Sequence, residues 1–210
     1  NPGQTIRLLG SGFDGATDVV FPAINQSGVR YQRVVLPAEV DESGEWIDVV
    51  VPIDAATGEL GVVGEANNTK ILLQVVPVVD SVDFTGINSA SSVASVTIRG
   101  DGFVEGSGSE YRFGNEVVDD PNVSSGPDVR RWFEHENDTV FLSVSTDGDI
   151  TGPITVTTEG GTSEPYIVGF ADLVGVAESG TPTDGNEASA NPGQTVVLQG
   201  SDFTSSSDLL

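Results

Sequence analysis

Ser95-Val96-Thr97-Ile98-Arg99-Gly100-Asp101-Gly102-Phe103 is written three times in this chain, with small changes. The other copies are Thr5-Ile6-Arg7-Leu8-Leu9-Gly10-Ser11-Gly12-Phe13 and Thr195-Val196-Val197-Leu198-Gln199-Gly200-Ser201-Asp202-Phe203. Each carries alternating apolar residues (Val96/Ile98, Ile6/Leu8, Val196/Leu198), a Gly-rich bend and a Phe. Alternation of period two places the apolar residues on one face of a strand. Glycine permits the positive φ of a sharp exit, and the Phe can fold back onto a core. The sequence therefore describes one structural module, repeated.

Working outward, the first copy predicts strands at Thr5–Leu9, Asp18–Phe21, Tyr31–Leu36, Trp46–Val51, Leu60–Val63 and Ile71–Val76. Turn signals (Asp14-Gly15, Ser43-Gly44, Thr57-Gly58) and Pro37 and Pro52 divide them. Ile47, Val49, Val50 and Val51 read as a strand buried on both faces, with Trp46 in the core. The second copy places a strand at Val79–Phe84 ahead of the quoted stretch, followed by strands at 110–113, 130–133, 139–144, 154–158 and 166–170. Thr57-Gly58 aligns with Thr151-Gly152, Glu65 with Glu159 and Ile47 with Phe141, a period near about 95 residues. The expected class is all-β, with no stretch of helical period.

The third copy opens with a strand at Leu173–Val176, continues through a polar insert, and reaches Asn191-Pro192-Gly193-Gln194-Thr195, which repeats Asn1-Pro2-Gly3-Gln4-Thr5. The expected organisation is 1–76, a sandwich lacking its first strand; 77–170, a complete sandwich; and 171–210, the start of a third. The chain reads as a window on a longer array. Segment 171–190 of one chain is expected to complete residues 1–76 of the next by strand addition.

Composition narrows the function classes. Eight Lys+Arg face 32 Asp+Glu, a net charge of −24. That field repels phosphate backbones and anionic lipid, so no nucleic-acid partner is expected. No apolar run is long enough to span a membrane as a helix, so no membrane insertion is expected in this segment. The chain holds no Cys.

The pattern resembles the IPT/TIG family of immunoglobulin-like domains. The residues carrying the resemblance are Gly10-Ser11-Gly12-Phe13 and Gly100-Asp101-Gly102-Phe103, the strands ending at Phe21 and Phe113-Gly114, and Thr151-Gly152-Pro153-Ile154-Thr155-Val156-Thr157. Residues 78–170 fit best. Copy one departs at Phe21-Pro22 and lacks the first strand, and copy three departs at Asp202. The resemblance implies tandem Ig-like β-sandwiches and no single activity. Long surface proteins of bacteria and archaea are the branch that tandem acidic copies favour.

Chemistry-bearing residues are sparse. His135 is the single His and has no Cys or second His to complete a zinc site. No Ser stands in a nucleophile elbow, and enzymatic activity is not expected. Asp147-Gly148-Asp149-Ile150-Thr151-Gly152 has the alternating oxygens and sixth-position Gly of a calcium loop, with Glu159 beside the twelfth position. Asp147, Asp149, Thr151 and Glu159 are therefore the candidate Ca²⁺ ligands. Asp119-Asp120, Asp41-Glu42 and Asp80 with Asp83 are weaker cation candidates. Arg99-Gly100-Asp101 matches a tripeptide that cell-surface receptors read on loops, and here it falls on the strand end. Asn25, Asn67, Asn122 and Asn137 head Asn-x-Ser/Thr sequons, candidate glycosylation sites. Trp46, Trp132 and Phe133 could stack on sugars.

The reading is a structural, non-enzymatic repeat of an extracellular filament, stalk or adhesin shaft. Its partners are other copies set end to end, with surface glycans as further ligands. The alternative is a carbohydrate-binding accessory module of a secreted enzyme.

Overall fold

The computed structural model describes residues 1–67, 69–88, 92–106, 108–121, 126–130, 137–148, 150–167 and 169–201. Among them every ladder is antiparallel and no helix forms. The chain divides into two compact units, Asn1–Tyr166 and Ile167–Leu210.

The first half of the larger unit has strands β1 (Thr5–Leu9), β2 (Val19–Ile24), β3 (Arg30–Val35), β4 (Glu39–Val40), β5 (Trp46–Val50), β6 (Gly58–Val62) and β7 (Ile71–Leu73). They form a three-stranded sheet, β1-β5-β4, and a four-stranded sheet, β3-β2-β6-β7. Leu8, Ile47 and Val49 of the first sheet share a buried cluster with Val19, Phe21 and Leu60 of the second. Two antiparallel sheets enclosing one apolar layer is the arrangement of a β-sandwich.

The second half repeats the plan. Its strands are β8 (Val78–Asn88), β9 (Val93–Asp101), β10 (Ser109–Phe113), β11 (Glu116–Asp120), β12 (Asp128–Arg130), β13 (Thr139–Ser145), β14 (Ile154–Thr158) and β15 (Gly161–Thr162). The sheets are β12-β13-β9-β8 and β11-β10-β14-β15. Reading β1 as β9, β2 as β10 and so on, the two halves have the same strand order. They differ at one place, where β8 flanks β9 and no described strand flanks the outer edge of β1. The core of this half takes Val96 and Ile98 from one sheet and Tyr111, Phe113 and Val156 from the other.

Register corrects two expectations. Ile47 pairs with Leu8 and Val140 pairs with Ile98, so Ile47 corresponds to Val140, one residue from the expected Phe141. A one-residue slip exchanges the faces of a strand. Ile47 and Val140 are fully buried, whereas Phe141 turns outward. By the same alternation β5 is buried on one face: Ile47 and Val49 point inward, Trp46 is outside the core, and Val50 is 40% exposed.

The smaller unit contains β16 (Gly169–Val174) paired with β17 (Val197–Ser201). Phe170 lies opposite Gly200, Asp172 opposite Gln199 and Leu173 opposite Leu198, with a bulge between Phe170 and Asp172. In the larger unit Val79 lies opposite Gly100, Ser81 opposite Arg99 and Val82 opposite Ile98, with a bulge between Val79 and Ser81. The two pairings share register and irregularity. The third copy's opening strand is thus Gly169–Val174, a few residues earlier than expected. Tyr166 belongs to the preceding half, where it exchanges main-chain hydrogen bonds with Ile154 at 2.8 and 2.9 Å.

Candidate functional site

The repeated bend is built identically twice. Gly12 and Gly102 adopt φ of +76° and +74°, in the left-handed region that glycine enters without steric cost. A Cβ on Gly10 would stand 2.6 Å from the Phe13 ring, so the strand-end glycine makes room for the Phe to fold back. At Gly100 a Cβ would also strike the Val78 carbonyl of β8. Gly10 N–H donates to Glu45 O at 2.9 Å, and Gly100 N–H donates to Asp138 O at 2.9 Å. Arg99-Gly100-Asp101 lies within β9, and Arg99 is ion-paired to Asp83 on β8, so the tripeptide sits in a paired strand and not on a loop.

That pattern makes Gly44 the counterpart of Asn137: Phe13 N–H donates to Gly44 O, and Phe103 N–H donates to Asn137 O. Both residues take positive φ, +71° and +59°. Asn is among the few residues that tolerate this conformation. Its side chain adds what glycine cannot. Asn137 Nδ2 donates to the Ile24 carbonyl of the first half at 2.6 Å, and the residue is 2% exposed. The sequon at Asn137 is therefore buried in a junction, and its amide nitrogen is closed to a glycan in this arrangement. Nearby, Gly160 packs so closely on Val75 O and Thr57 Oγ1 that a Cβ has no room. Gly102 faces Pro2, and Arg30 bonds Glu159 at 2.9 Å across the same junction.

The outer face of β1 is polar and aromatic. Arg7 donates to both oxygens of Asp48 at 2.7 and 2.8 Å, which holds the Asp48 carboxyl below its ordinary range. Its guanidinium lies 3.6 Å from the Trp46 ring centroid, a cation–π contact. Trp46, expected in the core, is covered from outside by Arg7.

Two carboxylates are buried at one end of the second half. Glu105 accepts from Val129 N–H at 2.7 Å, and Asp120 accepts from Gly106 N–H at 2.9 Å. Burial pushes the Glu105 carboxyl up to about 7, aided by Asp120 and Asp128 and opposed by the Val129 amide. Burial likewise raises the Tyr111 phenol beside them. Asp119-Asp120 is visible in the sequence. Glu105 carries no signal there, being one acid among many.

The candidate calcium ligands are placed only in part. Asp147 and Thr151 are exposed, Glu159 is committed to Arg30, and Asp149 lies outside the described residues. Among the described residues no group of three or more His, Cys, Asp or Glu could hold a metal ion. Among the weaker cation candidates, Asp41 accepts from Ser43, which with the Glu45 amide lowers its carboxyl, and Asp83 pairs with Arg99. Asn25 uses its Oδ1 to accept from Ser27 and Val29 N–H, closing its own turn. Asn67 is exposed on the β6–β7 loop, while Asn122, Trp132, Phe133 and His135 fall outside the described residues.

No protein-family model, no curated protein and no solved structure matches the chain.

Proposed function

We propose that this chain is a structural, non-enzymatic segment of an extracellular filament, stalk or adhesin shaft, made of tandem Ig-like sandwiches of IPT/TIG type. The observation that carries the reading is the repetition itself: one strand order twice, and its opening hairpin a third time with the same bulge. A repeat stacked against its neighbour is the construction of a spacer, in which each unit contacts the next. The junction supports a mechanical role, since Asn137, Gly160 and the Arg30–Glu159 pair hold the two halves of residues 1–166 as one compact body. Acidic surfaces keep neighbouring fibres apart in solution.

The carbohydrate-binding alternative needs an open aromatic face. Arg7 covers Trp46, and the Arg130 guanidinium stands 5.8 Å from the Phe141 ring centroid. Single-molecule stretching of the chain tests the shaft reading. Two resolved unfolding events of similar contour length are expected from residues 1–166. One event of irregular length, or unfolding at negligible force, would overturn it.

A further inference from the structure

We propose that the outer face of the β3-β2-β6-β7 sheet is a lateral contact surface, and that its partner is the same face of a second copy of this chain across a two-fold axis. The proposal rests on the shaft reading, to which it adds the side on which neighbouring copies meet.

Ladder register defines the face. Val34 and Gly61 lie opposite Val20, Gln32 lies opposite Pro22, and Leu72 lies opposite Glu59. Directly paired residues share a face, and alternation adds Val63 and Lys70 to it. Val19, Phe21 and Leu60 point the other way, into the core. Val34, Val63 and Leu72 are 54%, 60% and 65% exposed. Val20, Pro22, Glu59, Val63 and Lys70 border a shallow groove of ≈ 160 Å³.

The second half shows that the fold does not require an apolar surface here. Its counterpart sheet, β11-β10-β14-β15, has the same four strands, so no strand is missing from either face. Arg112 stands where Val20 does, one residue before a buried Phe, and pairs with Val117 and Thr155 as Val20 pairs with Val34 and Gly61. Thr157 takes the place of Val63, and Arg112 donates to Glu110 at 2.9 Å. That is the polar, solvated side expected of an antiparallel sheet.

Charge identifies the occupant. Every arginine among the described residues is ion-paired, whereas Lys70, the single Lys of the chain, is in no ion pair among them. Glu59 is exposed on the same face and is likewise in none. The two are diagonal neighbours across β6 and β7. Two such faces related by a two-fold axis set each Lys70 against Glu59 of the other copy, a self-complementary arrangement. Residues 1–76 also hold four of the eight cations but ten of the 32 acids, so copies meeting here bring together the least repulsive part of an acidic chain.

Area sets the strength. Four strands about 4.8 Å apart and about five residues long give a face of about 300 Å². A stable dimer takes about 800 Å² from each partner, so one contact is weak, with a Kd of about 0.1–1 mM. Contacts repeated along a shaft add by avidity.

Sedimentation equilibrium of the full chain in about 0.15 M NaCl, where the Debye length is about 8 Å, reads the contact. A reversible monomer–dimer equilibrium is expected, weakened about tenfold by Leu72→Gln and unchanged by Thr155→Gln on the counterpart face. Lys70→Glu and Glu59→Lys are each expected to weaken self-association, while the two variants mixed in equal amounts recover a dimer, because unlike charges again face each other. Lys70, Glu59 and Leu72 are exposed, and melting followed by circular dichroism checks that each variant is folded. A chain that stays monomeric at about 1 mM, a dimer indifferent to Leu72→Gln, or a mixture that stays monomeric would overturn the proposal. Stretching of single chains reads the shaft hypothesis separately, so the two can fail independently.

Discussion

Asn137 shows how one side chain can serve a local bend and a long-range contact together. Replacing it with Gly keeps the positive φ that Gly44 uses in the first half, but deletes the bond to Ile24 O. Replacing it with Ala loses both. Leaving a buried carbonyl unpaired costs about 1–3 kcal/mol. Asn137→Gly is expected to lower stability by about that amount and Asn137→Ala by more, as read by urea denaturation. Glu105 gives a prediction in pH. Its carboxyl, at about 7 in the fold against an ordinary 4.5, holds a proton more tightly in the folded state than in the unfolded one. This group's contribution is greatest below pH 4.5 and falls as pH rises to 7. Glu105→Gln fixes the neutral form and still accepts from Val129 N–H. A rise in melting temperature of about 5 °C at pH 8, with little change at pH 4, is expected by calorimetry.

At the level of strands, the two bends predict unequal tolerance. A methyl on Gly100 meets the Val78 carbonyl, which is fixed by the β8–β9 ladder; a methyl on Gly10 meets only the Phe13 ring, which is half-buried and can tilt. Gly100→Ala is expected to destabilise by several kcal/mol and Gly10→Ala by about 1 kcal/mol, as measured by chemical denaturation. Most strands were legible because alternation and glycine punctuation are local properties. The failures have physical causes. β5 reads as a continuous apolar run, and only its pairing with Leu8 and Ile6 shows which residues face inward. Trp46 takes its place from Arg7, far away in sequence. β11 was hidden because Asp119 and Asp120 are poor strand formers. The two-residue Gly114-Asn115 connection, with Gly114 at φ +53°, was the available clue to that hairpin. Of the candidate sites, Asn137 is buried and Glu159 is engaged by an ion pair, and neither contact has a trace in local sequence.

Across the whole molecule, charge and the junction govern behaviour. Arg7, Arg30, Arg33, Arg99, Arg112 and Arg130 are all ion-paired, yet the net charge remains −24. Salt weakens those pairs and the general repulsion alike. With acids outnumbering cations fourfold (32 against 8), relief of repulsion wins. The melting temperature is expected to rise between about 10 mM and 1 M NaCl, where the Debye length falls from about 30 to 3 Å. Gly160→Val is expected to part the two halves of residues 1–166 while each keeps its core. Small-angle scattering should then show a larger radius of gyration with the strand signal in circular dichroism retained.

The pairing of β16 with β17 has a kinetic corollary. The connection spanning 175–196 tethers the two strands, so β17 meets its own β16 at an effective concentration on the order of millimolar. A free neighbour in dilute solution cannot compete with that. Dilution therefore leaves the β16–β17 pair closed, and a fall in protein concentration does not open it.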